Sequence, residues 1–206
     1  MRGYRITREM FLCAKSARQL LRVCARRAKA EHGINQKVWT NRYLVAHLAL
    51  NSGLRVSEIA ALTMGDLMLN DAEALLIVRN GKGGRKRDVY LDRKIAQHLQ
   101  HYISLKRAQW QEPVNEEAPL LCGRGGGHYT TTALHIGFKK SLEEARLPLS
   151  HTIHHCRHTY ATMLLAKTNN IRFVQKQLGH ASMSMTASYA DILPEHNQAL
   201  ANAILK

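Results

Sequence analysis

His154-x-x-Arg157, then Leu178-Gly179-His180, then Tyr189 nine residues beyond that histidine, form an ordered series of phosphate-binding groups that ends in a side chain able to act as a nucleophile. Two further stretches precede them: Gly53-Leu54-Arg55-Val56-Ser57-Glu58, and the glycine-flanked lysine of Gly81-Lys82-Gly83-Gly84-Arg85-Lys86-Arg87. A phosphodiester is an anion that repels nucleophiles, so its cleavage requires cations that grip the non-bridging oxygens more tightly as charge develops. Arg55 and Arg157 suit this task because a guanidinium is planar, permanently charged and able to give two parallel hydrogen bonds. Arg55 follows a glycine near a helix start, where free N–H groups also favour anions. Glu58, one turn on, either orients Arg55 or caps the helix. Arg157 shares a helix face with His154.

A phenol with a pKa of roughly 10 needs help losing its proton at neutral pH. His154 can accept that proton or hold the phosphate, and His180 can donate to the scissile oxygens. Lys82 is the first choice for a general acid, with Lys86 as its rival. Blander readings stand beside these. Tyr189 is one of seven tyrosines, and a tyrosine on an amphipathic helix is usually a packing residue. His151, His154, His155 and His158 surround Cys156, but there is no second ligand cluster at zinc-site spacing, so no metal is expected.

Taken together, in this order and at these spacings, the motifs resemble the catalytic domain of the tyrosine recombinases, the phage-integrase family, from about residue 38 to about 193. The resemblance implies a mainly α-helical fold with a small antiparallel β-sheet (α+β). It makes Arg55, Lys82, His154, Arg157, His180 and Tyr189 the catalytic set, with Glu58 in support. In the implied reaction Tyr189 attacks phosphorus, Lys82 protonates the departing 5′-hydroxyl, and a 3′-phosphotyrosyl linkage keeps the bond energy until a second 5′-hydroxyl reverses the step. No ATP, metal or other cofactor is needed. The implied partners are double-stranded DNA with specific recombination sites, further copies of the chain in a homotetramer on synapsed DNA that are monomers when free, and accessory DNA-bending or directionality proteins. The implied setting is the cytoplasm of a bacterium, at the nucleoid, with the gene carried by a bacterium or phage. Cys156 departs from the commoner leucine, and Tyr90 from the commoner proline. Many family members also carry a helical DNA-clamping domain ahead of the catalytic one, whereas 54 residues precede Arg55 here. That expectation is of a short member, as the fimbrial-inversion recombinases are, or of an excised fragment.

The elements that must hold these side chains can be read from periodicity. Residues 7–31 read as an amphipathic helix with Thr7 as N-cap and Met10, Cys13, Ala14, Ala17, Leu21, Cys24 and Ala28 on its apolar face. Lys15, Arg18, Arg22, Arg26 and Lys29 form a basic stripe on that helix; a solvated face is its blander reading, but with Glu9 the only carboxylate before Glu31 the balance favours phosphate contact. Gly33 ends the helix. A largely apolar helix over 38–51, broken at Ser52-Gly53, and a short helix over 57–62 come next. Strands over 74–78 and 88–91, joined by Asn80-Gly81 and Gly83-Gly84, predict a hairpin with Lys82 at its tip and Arg85, Lys86 and Arg87 beside it for DNA. Helices over 94–109 and 130–144 follow, separated by a polar loop and a glycine-rich turn that lacks any nucleotide-binding signature. Three more are expected over 152–166, 171–178 and about 182–192. The chain reads as one catalytic domain over 1–206, with a basic helix over 1–31, a core over 38–193 and a tail over 194–206 that docks on a neighbouring protomer.

Charge agrees with this partner. Thirty lysines and arginines against fifteen acids give a formal charge of +15 and a pI near 10.1, the balance of a domain that neutralises phosphates. RNA-binding proteins share the bias, but a basic RNA-binding domain leaves the motif spacings unexplained. A type IB topoisomerase and a non-catalytic DNA-binding protein remain the alternatives. No apolar run is long enough to span a membrane, the basic stretch at the start of this sequence lacks the apolar run and cleavage site expected of a secretory signal, and the scattered Cys13, Cys24, Cys122 and Cys156 suit reduced thiols.

Overall fold

The computed structural model describes residues 8–31, 36–70, 73–81 and 84–190. Eight α-helices lie among them, α1 Ala14–Glu31, α2 Val38–Ser52, α3 Val56–Ala61, α4 Arg93–Ala108, α5 Thr131–Glu144, α6 Ile153–Thr168, α7 Ile171–Leu178 and α8 Met183–Ala187. Three strands, β1 Leu67–Leu69, β2 Ala74–Val78 and β3 Arg87–Tyr90, form one antiparallel sheet in the order β1-β2-β3. The mainly helical α+β class is therefore as expected. Strand β1 is an addition: its register sets Leu67 opposite Leu76 and Leu69 opposite Ala74, and a three-residue strand carries too little alternation to be read from sequence.

The first long helix starts later than its apolar spacing suggests. Residues Arg8–Met10 form a 3-10 turn, and α1 begins only at Ala14, with the Cys13 carbonyl taking the first helical bond from Ala17. Cys13 also accepts the Ser16 N–H on its sulfur, so it occupies the capping position that Thr7 was expected to fill; Thr7 and Gly33 lie outside the described residues. The buried stripe of α1 is Ala17, Leu20, Cys24 and Ala28, with Leu20 fully buried and the expected Leu21 half-buried against the same core.

Helix α2 is buried around nearly its whole circumference, as a central helix must be. Its start has no cap of its own. The Glu31 carboxylate accepts from the Trp39 and Thr40 amides, placing a negative charge where the helix dipole favours one. The other ends follow local chemistry: Asp92, Thr130, Thr152 and Asn170 cap α4, α5, α6 and α7 by accepting backbone N–H groups.

Two apolar clusters result. The larger one gathers α1, α2, the sheet, α4 and α5 around Leu44, Leu48, Leu76, Leu99 and Phe138. The smaller one holds Ala161, Leu165, Val174, Leu178 and Tyr189 from α6, α7 and the turn after α8. The motif side chains lie where the two clusters meet.

Candidate active site

Arg55 is the N-cap residue of α3, and Glu58 sits in the first turn of the same helix. Glu58 accepts from the Arg55 amide at 2.8 Å and from its guanidinium at 2.7 Å, so both readings of this glutamate hold at once: it caps α3 and orients Arg55. Arg87, at the start of β3, grips the same carboxylate with two hydrogen bonds of 2.9 and 2.8 Å, and its Nε donates to the Gln177 carbonyl at the end of α7. Burial would raise the Glu58 pKa, but the hydrogen bonds and charge of Arg87, followed by those of Arg55, outweigh it and hold the carboxyl at about 2.

Arg87 therefore differs from its expected role. Its side chain is 8 % exposed and spent inside the protein, where it staples the hairpin to α3 and α7. It is not a free cation for DNA. Arg85 and Lys86 beside it are exposed. The reason is strand alternation: once β3 begins at Arg87, that side chain and its predecessor face opposite ways.

Arg157, on the second turn of α6, is 2 % exposed. Its guanidinium donates to the Gly53 carbonyl and to the Leu178 carbonyl, both at 2.6 Å, so one buried cation ties the end of α2 to the end of α7. Both carbonyls belong to chain reversals that require glycine. Gly53 (φ 63°) and Gly179 (φ 65°) are left-handed C-caps, and a Cβ on Gly53 would lie 2.4 Å from a Tyr160 ring carbon. Burial, then the nearby Arg55 charge, presses on the Arg157 cation, while Glu58 opposes them.

His154 opens α6 on the exposed side of the same helix, and its ring stands edge-on to that of His158, 4.5 Å away. Burial, then Arg157, keeps the His154 pKa below its ordinary value. His180 follows the Gly179 turn. It is 9 % exposed and shares a 2.9 Å hydrogen bond between Nδ1 and the Thr186 hydroxyl. Its imidazole is held down to about 4 by burial, then by the charges of Arg157, Arg55 and Arg87. Both histidines are thus neutral at pH 7.

Tyr189 lies in the turn just after α8, 2 % exposed, with its ring stacked on that of His180 at 6.0 Å. Its hydroxyl meets Nδ1 of His158 at 2.8 Å. His158 was noted in the sequence only within a histidine cluster. The legible signal was its i,i+4 relation to His154, which stacks both on one side of α6. Arg55, Glu58, His154, Arg157, His180 and Tyr189 are therefore brought together from three separated stretches. Lys82 lies outside the described residues.

The basic stripe of α1 behaves differently. Lys15, Arg18, Arg22, Arg26 and Lys29 are all exposed on one face, with Arg26 and Arg27 near Glu144 at 4.0 and 3.6 Å. Among the described residues, no group of three or more histidine, cysteine or acidic side chains is arranged to hold a metal ion, and no helix is long and apolar enough to cross a membrane.

Comparison with known proteins agrees with this arrangement. Residues 11–196 match the phage integrase family. The tyrosine recombinase XerC of Nitrobacter winogradskyi is 31 % identical over 75 % of this chain and 47 % of its own length, and XerD of Oceanobacillus iheyensis is 31 % identical over 77 % and 52 %. The chain thus spans about half the length of these curated relatives. In fold it is similar to the crystal structure of XerA recombinase, with a TM-score of 0.74 at 23 % identity over 94 % of this chain and 64 % of that one. It is also similar to XerH recombinase in a post-cleavage complex with its palindromic difH substrate, with a TM-score of 0.73 at 23 % identity over 94 % and 52 %. With the family model spanning most of its length and a tyrosine set among paired arginines and histidines, the chain belongs to the phage integrase family.

Proposed function

We propose that this chain is the catalytic domain of a site-specific DNA recombinase that cleaves and rejoins strands through a 3′-phosphotyrosyl intermediate. One observation carries the reading. Tyr189 is held against His158 and His180, within the electrostatic reach of Arg157, while Arg55 and His154 stand at the open side of the same cluster.

In this reading the scissile phosphate enters on the Arg55 and His154 side. Arg55 is the partly exposed grip, oriented by Glu58. Arg157 supplies a positive charge that cannot be hydrated, and charges in such a site act more strongly than in water. His180, neutral and anchored to Thr186, donates to a non-bridging oxygen from its other ring nitrogen. Tyr189 Oη bonds to phosphorus as the P–O5′ bond breaks, and Lys82 gives the departing oxygen its proton. Residues 1–206 form one catalytic unit whose α1 stripe and Arg85 and Lys86 hold the DNA backbone. Residues 194–206 dock on a neighbouring protomer in a tetramer assembled on synapsed DNA in the bacterial cytoplasm. The relatives named XerC, XerD and XerH support a site-specific substrate.

The test is covalent capture. Wild-type protein and Tyr189→Phe are incubated with fragmented DNA from the source, denatured, and the protein-linked ends are sequenced. Linkage in wild type alone, at a recurring sequence, is the expected result. Linkage that persists in Tyr189→Phe would mean another nucleophile, and linkage without a recurring sequence would point to a relaxing enzyme.

A further inference from the structure

We propose that His158 is a further catalytic residue of this site, the group that takes the phenolic proton as Tyr189 attacks phosphorus. The inference rests on the reading of Tyr189 as nucleophile and adds a role that His154 was expected to fill. His158 is hydrogen-bonded to the Tyr189 Oη, at 2.8 Å through Nδ1. His154 packs on the His158 ring and faces the open side, while His180 stacks on the tyrosine ring with its Nδ1 engaged by Thr186. His158 is 3 % exposed and Tyr189 2 %, so water does not compete at the bond. A general base must be within hydrogen-bond reach of the proton it abstracts, and His158 meets that condition before any substrate arrives.

The surroundings also explain how the proton stays on the phenol until it is needed. Burial, then His154 and His155 on the same helix, Arg157 beside it and His180 from the turn after α7, hold the imidazole at about 3, so it is neutral and a weak base in the free protein. A phosphate anion bound near Arg55, His154, Arg157 and His180 offsets part of that positive field and raises the basicity of His158. Proton transfer is thereby linked to the presence of substrate. In the step itself the Oη–P bond forms, the P–O5′ bond breaks, the phenolic proton passes to His158 Nδ1 to give an imidazolium, and the 5′-oxygen takes its proton from the general acid. On rejoining, His158 returns the proton to Oη.

The experiment uses the full chain and a nicked duplex bearing the sequence recovered by covalent capture. Single-turnover rates of protein–DNA linkage are measured from pH 5 to 9 for wild type, His158→Phe, which keeps a ring without an acceptor, and His158→Asn, which can hold the hydroxyl but not take its proton. The expected result is a loss of roughly 10²- to 10⁴-fold in both variants at neutral pH with DNA affinity retained. The rate should then rise with pH as hydroxide replaces the missing base. A duplex with sulfur in place of the bridging 5′-oxygen has a leaving group that needs no proton, so it should rescue Lys82→Ala but neither His158 variant. Linkage at the wild-type rate or faster in His158→Asn would overturn the proposal, and faster linkage would mean that the contact restrains the tyrosine. Should His158→Phe fail to fold, His158→Asn decides alone. Linkage in Tyr189→Phe, or none in wild type, would overturn the nucleophile reading itself and the role of His158 with it.

Discussion

Two sets of cations in this molecule are alike in composition and opposite in physics. Arg87 and Arg157 are buried, and each is clamped by fixed acceptors: Glu58 and the Gln177 carbonyl for one, the Gly53 and Leu178 carbonyls for the other. The stripe of Lys15, Arg18, Arg22, Arg26 and Lys29 on α1 is exposed. A desolvated guanidinium holds its geometry before substrate arrives, whereas a solvated one gains only a screened contact when a phosphate comes near. The difference teaches that net charge and site chemistry are separate properties of a basic chain. The +15 charge belongs to the whole chain, whereas Arg87 and Arg157 within the candidate site are withdrawn from solvent.

The comparison is broken most directly at the carboxylate on the buried side. Glu58→Gln leaves Arg87 buried without its counter-charge and should destabilise the fold by about 3 to 5 kcal/mol, measured by denaturant unfolding; a loss under about 1 kcal/mol would show that Arg87 finds another partner. Arg157→Ala should remove roughly 2.7 to 4 kcal/mol of transition-state stabilisation, read as a 10²- to 10³-fold slower single-turnover linkage with DNA affinity little changed. A near-wild-type rate would take Arg157 out of the proposed mechanism. Gly53→Ala should cost about 2 to 4 kcal/mol, because the added Cβ meets Tyr160 in a left-handed backbone and displaces the carbonyl that holds Arg157.

Acid sharpens the contrast without a mutation. His158 and His180 sit at about 3 and about 4 in the folded chain, below their ordinary value of 6.5, and so do His47 and His98 at about 4 and about 3. Below pH 6.5 the unfolded chain binds more protons than the folded one, so stability should fall as pH drops from about 6.5 towards 3. The Glu58 contribution declines in turn from about pH 4.5 towards 2. A thermal midpoint that stays flat between pH 7 and 4 would contradict this. The smallest effect on stability is expected at the exposed stripe. Arg18, Arg22 and Arg26 changed together to Gln should move the midpoint little, while the salt dependence of DNA binding should flatten by about one phosphate contact for each residue.

Much of this was legible in the chain. Strand β2 and helix α7 fall on the residues their patterns indicate, because a bounded apolar run and a capped amphipathic segment carry their own limits. Arg55, Glu58, His154, Arg157, His180 and Tyr189 are gathered by the fold, while Lys82 lies outside the described residues; motifs encode residue types at spacings that few other arrangements satisfy. The start of α1 was misread because Cys13 replaced the expected Thr7 cap. Arg87 was grouped with its basic neighbours because a run of like charges hides the alternation of a strand. The sequence offers His158 only as a member of a histidine cluster, because nothing along the chain says that residue 189 comes to rest beside it.

The sequence by itself determined the long helices and the β2–β3 hairpin, which residue types are available to a phosphate and that the chain is strongly basic, because periodicity, capping and charge are local properties. Only the tertiary structure decided which cations are buried, that one glutamate serves two arginines, and which imidazole meets the Tyr189 hydroxyl. Those outcomes depend on the meeting of two apolar clusters whose residues lie far apart in the chain, and desolvation, which sets the strength of every charge in the site, exists only after that meeting has excluded water.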